Sequence, residues 1–270
     1  MTGSRPQSSR RRLVEAAVLG LGAGFLSGMF GVGGGILIVP GLVLFMAMDQ
    51  RLAHGTSLAA VLPIAVSGTI GFALEDSVDW PVAVALTAGA VIGAVVGTHW
   101  LHRLPTSVLA YSFAALLLVS AVRLLVDNSD ASGRDELTVL GVVGLVLIGL
   151  LSGTLAGLLG VGGGVVMVPA QIIAFGIPGA VAKGTSLAVI VPTAVMATVR
   201  NVKNDNADLG VGAIVGFAGV ASAYAASKIS VGLDEDLSNA LFAGLLTFVA
   251  LRMLVTTWRG GRRDEVAAEL

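Results

Sequence analysis

One stretch of this chain is written twice. Residues 24–40 read GFLSGMFGVGGGILIVP and residues 153–169 read GTLAGLLGVGGGVVMVP, an offset of 129 that persists without a gap. The segment from Ala53 to Ala59 (AHGTSLA) matches Ala182 to Ala188 (AKGTSLA), and Pro63 matches Pro192. Further on, Asp79 falls with Asp208, Phe113 with Phe242 and Arg123 with Arg252. Between 24–63 and 153–192, 17 of 40 positions are identical. Such a duplication constrains the architecture before any single element is assigned, because both copies must fold into the same unit.

The unit is apolar enough to live in a bilayer. Only 12% of the 270 residues are charged and 55% are hydrophobic, whereas a soluble domain carries about 25% charge. The apolar runs are about 17 to 22 residues long, enough to cross a hydrocarbon core of roughly 30 Å. Each copy opens with an apolar stretch of 36 residues (13–48, and about 142–177) interrupted by Gly-Val-Gly-Gly-Gly. Three plain spans follow, about 54–74, 81–100 and 106–126 in the first copy, and 183–200, 209–228 and 238–257 in the second. A straight helix of 36 residues would run about 54 Å, so the glycines must break it. The result is either two spans or a re-entrant hairpin, and both return the chain to its starting side.

Each copy then crosses an odd number of times, which turns the second copy upside down relative to the first. Basic residues support this, since cytoplasmic loops are enriched in Lys and Arg. With Arg10, Arg11 and Arg12 inside, Arg51, His102, Arg103, Arg200, Lys203, Arg259, Arg262 and Arg263 fall inside as well. The loop Glu75 to Asp79 falls outside, and Arg134, Lys183 and Lys228 also go outside. The expected fold is an all-α membrane protein of two inverted-topology repeats of transmembrane helices, each with a Gly-interrupted first hairpin. Its parts are a basic cytoplasmic N-terminus 1–12, repeat one 13–126, an extracytoplasmic linker 127–136, repeat two 137–257 and a cytoplasmic tail 258–270. The polar start lacks a small-residue cleavage site and reads as a retained end. Both termini are expected on the cytoplasmic side of the cell membrane. Inverted repeats around interrupted helices are a hallmark of secondary transporters, with the site near the midplane between the copies.

The glycine runs carry the chemistry. Gly31, Gly33, Gly34 and Gly35, with Gly160, Gly162, Gly163 and Gly164, free backbone N–H groups inside hydrocarbon, which is tolerable only in a cavity or under protein. A helix starting near Gly35 or Gly164 would aim its partly positive N-terminus at that cavity and attract an anion. The competing reading is close helix packing. Pro40 and Pro169, five residues on, each leave a carbonyl unpaired one turn earlier, as a packing kink or as part of a site. Thr56 with Ser57, and Thr185 with Ser186, are either helix caps or hydroxyls completing an oxyanion cage. His54 and Lys183 share one repeat position; each is a vestibule cation or a snorkelling anchor. Arg123 and Arg252, near the ends of the final spans, pose the same choice between anion clamp and anchor.

Beyond Glu15, no Asp or Glu lies well inside an apolar span. A cation substrate or carboxylate-based ion coupling is therefore disfavoured, and an anion held by dipoles and hydroxyls fits better. Without cysteine there is no disulfide and no thiolate metal site. No metal, cofactor or nucleic acid is expected; the partners are a small anion and the lipid bilayer, with a homodimer left open.

The doubled G-x-G-G-G-x4-P followed by G-T-S-L-A resembles the sulfite exporter TauE/SafE family of membrane permeases. It is carried by Gly31 to Pro40 with Gly55 to Ala59, and by Gly160 to Pro169 with Gly184 to Ala188, and the likeness extends over about 13–257. The resemblance implies a permease for sulfite, a sulfonate or another sulfur oxyanion, exporting or importing. Two other readings stay open. One is an anion channel. The other is an intramembrane serine hydrolase, because Gly24 to Gly28 contains a G-x-S-G-like Ser27, although the second copy has Ala156 there.

Overall fold

The computed structural model describes residues 9–100, 106–126, 138–159 and 162–268, and among them every regular element is a helix. Repeat one contains α1 (Ser9–Phe30), α2 (Gly35–Met46), α3 (Gln50–Ala73), α4 (Trp80–Trp100) and α5 (Thr106–Val126). Repeat two contains α6 (Val139–Leu159), α7 (Gly164–Phe175), α8 (Gly179–Lys203), α9 (Leu209–Gly232) and α10 (Glu235–Ala268). The 36-residue stretch is thus two helices on either side of the glycines. Among the described residues six helical stretches are long and apolar enough to cross a membrane. At 12 residues each, α2 and α7 rise about 18 Å and are too short. The final helix runs past the expected span end at 257, reaching Ala268. The loop at His102 and Arg103, the linker 127–136, Arg134 and Gly160 lie outside the described residues.

Aspartates set the helix starts. The Asp79 carboxylate accepts the Val82 N–H at 3.1 Å, and its counterpart Asp208 accepts the Val211 N–H at 3.0 Å. Each thereby satisfies an amide that a helix N-terminus leaves without a partner. Pro81 sits in the first turn of α4, where its missing N–H costs nothing. Outward-facing side chains are large and apolar: Leu44, Phe217 and Val84 are at least 70% exposed. Such a surface suits hydrocarbon, where backbone groups must be satisfied within the helices.

Between helices, small residues bring backbones together. A Cβ on Gly20, Gly24 or Gly28 of α1 would lie 2.1–2.2 Å from the carbonyl oxygens of Val215, Gly219 and Ala223 on α9. The same residues recur 129 positions along. A Cβ on Gly149 or Gly153 of α6 would lie 2.1 Å from the carbonyls of Leu86 and Ala90 on α4. Both pairs rise in step, so α1 is parallel to α9 and α6 is parallel to α4, in the small-residue packing that membrane helices favour. Serine adds to the first pair: Ser222 Oγ donates to the Leu21 carbonyl at 2.8 Å.

The middle helices cross differently. A Cβ on Gly68 of α3 would touch Leu187 of α8, and one on Gly184 of α8 would touch Phe72 of α3. These two equivalent helices therefore run in opposite directions against one another. Gly22 faces Leu37 and Gly41 faces Leu19, so α2 runs back along α1. Two hydrogen bonds tie the repeats together reciprocally. Asp208 N donates to Thr56 Oγ1 at 2.9 Å, and Asp79 N donates to Thr185 Oγ1 at 2.9 Å.

Gly24→Ala pushes a methyl into a backbone carbonyl and should cost about 1–3 kcal/mol, read as a lower unfolding temperature in detergent. Gly244→Ala meets nothing within 4 Å in α10 and should be neutral or gain about 0.5–1 kcal/mol from helix propensity. Thr56→Val and Thr185→Val each strand one half-buried amide and should destabilise by about 1–2 kcal/mol. The two losses should be similar, with Ser at either position restoring most of the stability.

Candidate functional site

The two glycine breaks are built from left-handed backbone. Gly31, Gly33 and Gly34 have φ of 71°, 78° and 75°, and Gly162 and Gly163 have φ of 86° and 76°. Side chains with a Cβ rarely adopt this region, so glycine is the residue that allows the chain to reverse here. Gly35 and Gly164 open α2 and α7, and no side chain caps either start. The first amides of both short helices are therefore left without a side-chain acceptor, next to the partly positive helix end.

The breaks meet. A Cβ on Gly164 would lie 2.3 Å from the Gly31 carbonyl and 2.7 Å from Val32 Cα, and Gly162 has Val32 O as its nearest neighbour at 3.4 Å. Gly33 packs on Ile190 and Val61, which occupy equivalent positions in the repeats, and Gly162 packs on the same Ile190. Ser186 Oγ donates to the Gly31 carbonyl at 2.9 Å, and Ser152 Oγ donates to the Gly163 carbonyl at 2.7 Å. All described glycines of the two motifs are buried. Beside Gly162, Leu58, Ile190 and Thr193 line a void of about 10 Å³, room for one water at most. Cavity and close packing, opposed readings of the glycines in the sequence, thus coincide here in a tightly closed break.

The other candidates divide. Thr56 and Thr185 are fully buried and spend their oxygens on the cross-repeat bonds to Asp208 and Asp79. Ser57 is also fully buried. Pro40 lies inside α2 and Pro169 inside α7, each five residues beyond the last glycine. His54 is half-buried on the first turns of α3. Arg123 and Arg252 are exposed on α5 and α10. Ser27 is fully buried and its hydroxyl has no hydrogen-bond partner. Glu15 pairs with Arg11 at 2.8 Å on the first turns of α1.

Lys183 departs from the snorkelling reading of the sequence. It does not snorkel; its side chain is 1% exposed. The ammonium donates to Ser238 Oγ and, at 3.3 Å, to Ser230 Oγ, while Ser230 donates to the Met29 carbonyl at 2.8 Å. A Cβ on Gly31 would lie 2.6 Å from Lys183 Cα, so this lysine is backed directly onto the first break. Nearby, buried Gln171 donates to the carbonyls of Met167 and Ala182 at 3.0 and 3.3 Å. Sequence reasoning passed over Ser230, Ser238 and Gln171. The signal was in the repeat itself, because the same offset places Leu101, Leu109 and Leu42 at their positions in the first copy.

Comparison with known proteins identifies the family. The family model of the sulfite exporter TauE/SafE matches residues 2–124 and 145–269, one block per repeat. A Bacillus subtilis (strain 168) protein named "Probable membrane transporter protein YdhB" is 34% identical over 116 residues, 43% of this chain and 46% of that protein. "Probable membrane transporter protein YunE" of the same strain is 28% identical over 201 residues, 66% of this chain and 73% of that protein. A similarly named protein of Xylella fastidiosa (strain 9a5c) is 35% identical over 101 residues, 37% of this chain and 39% of that protein. The match thus spans less than half the length of YdhB and of the Xylella protein. Because the family model covers both repeats and nearly the whole sequence, the chain belongs to the sulfite exporter TauE/SafE family.

Proposed function

We propose that the protein is a secondary carrier that moves a small anion across the cell membrane by alternating access between two inverted repeats. The anion class is a sulfur oxyanion, sulfite or a sulfonate. The observation that carries this reading is the meeting of the two glycine breaks beside α3 and α8, equivalent helices that run in opposite directions. Antiparallel equivalents are what an axis in the membrane plane produces, and the return of α2 along α1 fits a re-entrant hairpin on each side. The uncapped starts of α2 and α7 supply amides and dipole ends suited to an anion at the break. The family supports the substrate class, and the transporter names of the relatives support the transport role.

The closed break fits one state of an alternating-access carrier, and a channel shut at the same point would pack alike, so the kinetics of flux separate the two. The hydrolase alternative gains nothing from Ser27, whose hydroxyl makes no hydrogen bond to a base and whose counterpart is Ala156.

Proteoliposomes containing the purified protein should take up ³⁵S-labelled sulfite with saturation at low concentration and with counterflow. Ohmic anion currents without saturation would indicate the channel instead, and no flux for sulfite or sulfonates would remove this substrate class. Ser27→Ala should carry sulfite at close to the normal rate; a peptidase activity lost in that variant would restore the enzyme reading.

A further inference from the structure

The buried Lys183 amine has only hydroxyls as hydrogen-bond partners among the described residues. Among the described residues no carboxylate lies within ion-pair distance of it. Glu235, an exposed residue on the first turn of α10, attracts the ammonium through space but accepts its hydrogen bond from Gly179 N at 3.3 Å. A buried charge without a counter-charge is expensive, and inside a bilayer such groups are kept for function.

The donor inventory leaves room for a ligand. An ammonium has three N–H groups, and Lys183 uses two of them on Ser230 and Ser238. Ser230 donates its own hydrogen bond to the Met29 carbonyl in the last turn of α1, which fixes the cradle two residues before Gly31. Among the described residues, neither the third N–H nor the Ser238 proton has an acceptor. The cradle exists in one repeat only, since the matching positions in the other are His54, Leu101 and Leu109.

We propose that Lys183 is the counter-charge of the transported anion, binding a singly charged sulfur oxyanion through its ammonium with Ser238 as second donor and Ser230 as the anchor. This rests on the anion-carrier reading and sharpens it. One fixed positive charge matches a monoanion such as a sulfonate and leaves a dianion such as sulfate half compensated. The competing role is a structural pin joining α8 to α9 and α10, which would make Lys183 matter for stability but not for anion affinity.

The test uses the intact protein, wild type beside Lys183→Met, Lys183→Arg and Ser238→Ala. Thermal unfolding in detergent is titrated with methanesulfonate, sulfite and sulfate, and ³⁵S-sulfite uptake is measured separately in proteoliposomes. Methanesulfonate should stabilise the wild type at lower concentration than sulfate does. Lys183→Met should raise the half-saturating methanesulfonate roughly tenfold or more, the loss expected for a charged hydrogen bond. Lys183→Arg should recover most of the affinity, and Ser238→Ala should weaken it less than Lys183→Met. If Lys183→Met fails to fold, the Ser238→Ala and Lys183→Arg comparison carries the same decision. Equal half-saturation in all folded variants overturns the assignment even where the wild type carries sulfite. Stabilisation that depends on Lys183 without any flux supports anion binding at Lys183 and overturns transport of that anion. No stabilisation of the wild type by any of the three anions overturns the assignment, and uptake then decides the carrier alone.

Discussion

Helix backbones touching one another, rather than side chains interdigitating, hold the two repeats together. Each glycine of the α1 and α6 stripes faces a carbonyl at a distance that excludes even a methyl group. In hydrocarbon there is little hydrophobic drive between helices, so dispersion at close range and weak polar contacts must supply the association. The duplicated sequence makes the contact twice, α1 on α9 and α6 on α4. The pairing is reciprocal: the first helix of each copy lies against the fourth helix of the other. Neither copy supplies its own closest neighbour, so neither is a finished unit alone.

That exchange places everything else. With α1 and α6 held against the opposite repeat, their C-terminal ends bring the glycine breaks into contact, Gly164 on Gly31 and both breaks beside Ile190. The left-handed glycines turn the chain back, and the short helices α2 and α7 start there with uncapped amides. Thr56 and Thr185 then lock the far ends, each accepting the first amide before a helix of the other copy. Similar interactions at both ends give the molecule near-symmetry. The polar cradle around Lys183 breaks that symmetry on one side only.

Much of this was legible in the sequence because it is periodic or duplicated. The repeat, the break inside an overlong apolar stretch and the helices after it follow from spacing and length, and the helix starts at Asp79 and Asp208 carry ordinary capping residues. What was not legible depends on partners far apart in the chain. Lys183 is separated from Ser230 and Ser238 by 47 and 55 residues, and nothing local distinguishes a snorkelling lysine from a buried one. Thr56 and Thr185 looked like cage hydroxyls or caps of their own helices. They bond amides 152 and 106 residues away, because the fold brings each under a helix of the other copy. The end of α10 was not legible for a different reason: a helix continues past an apolar stretch without needing apolar residues, so hydropathy marks the span and not the helix.

The central claim is that equivalent points of the two repeats face opposite sides of the membrane. The chain has no cysteine, so single cysteines can be placed without background. Asp49 and Pro178 are equivalent positions preceding α3 and α8. Asp49→Cys and Pro178→Cys are to be labelled with an impermeant maleimide from one side of oriented vesicles and then from the other. The account predicts labelling of Asp49→Cys only from the side that holds the N-terminus and of Pro178→Cys only from the opposite side. Labelling of both from the same side would contradict the inverted architecture and the shared anion site built on it.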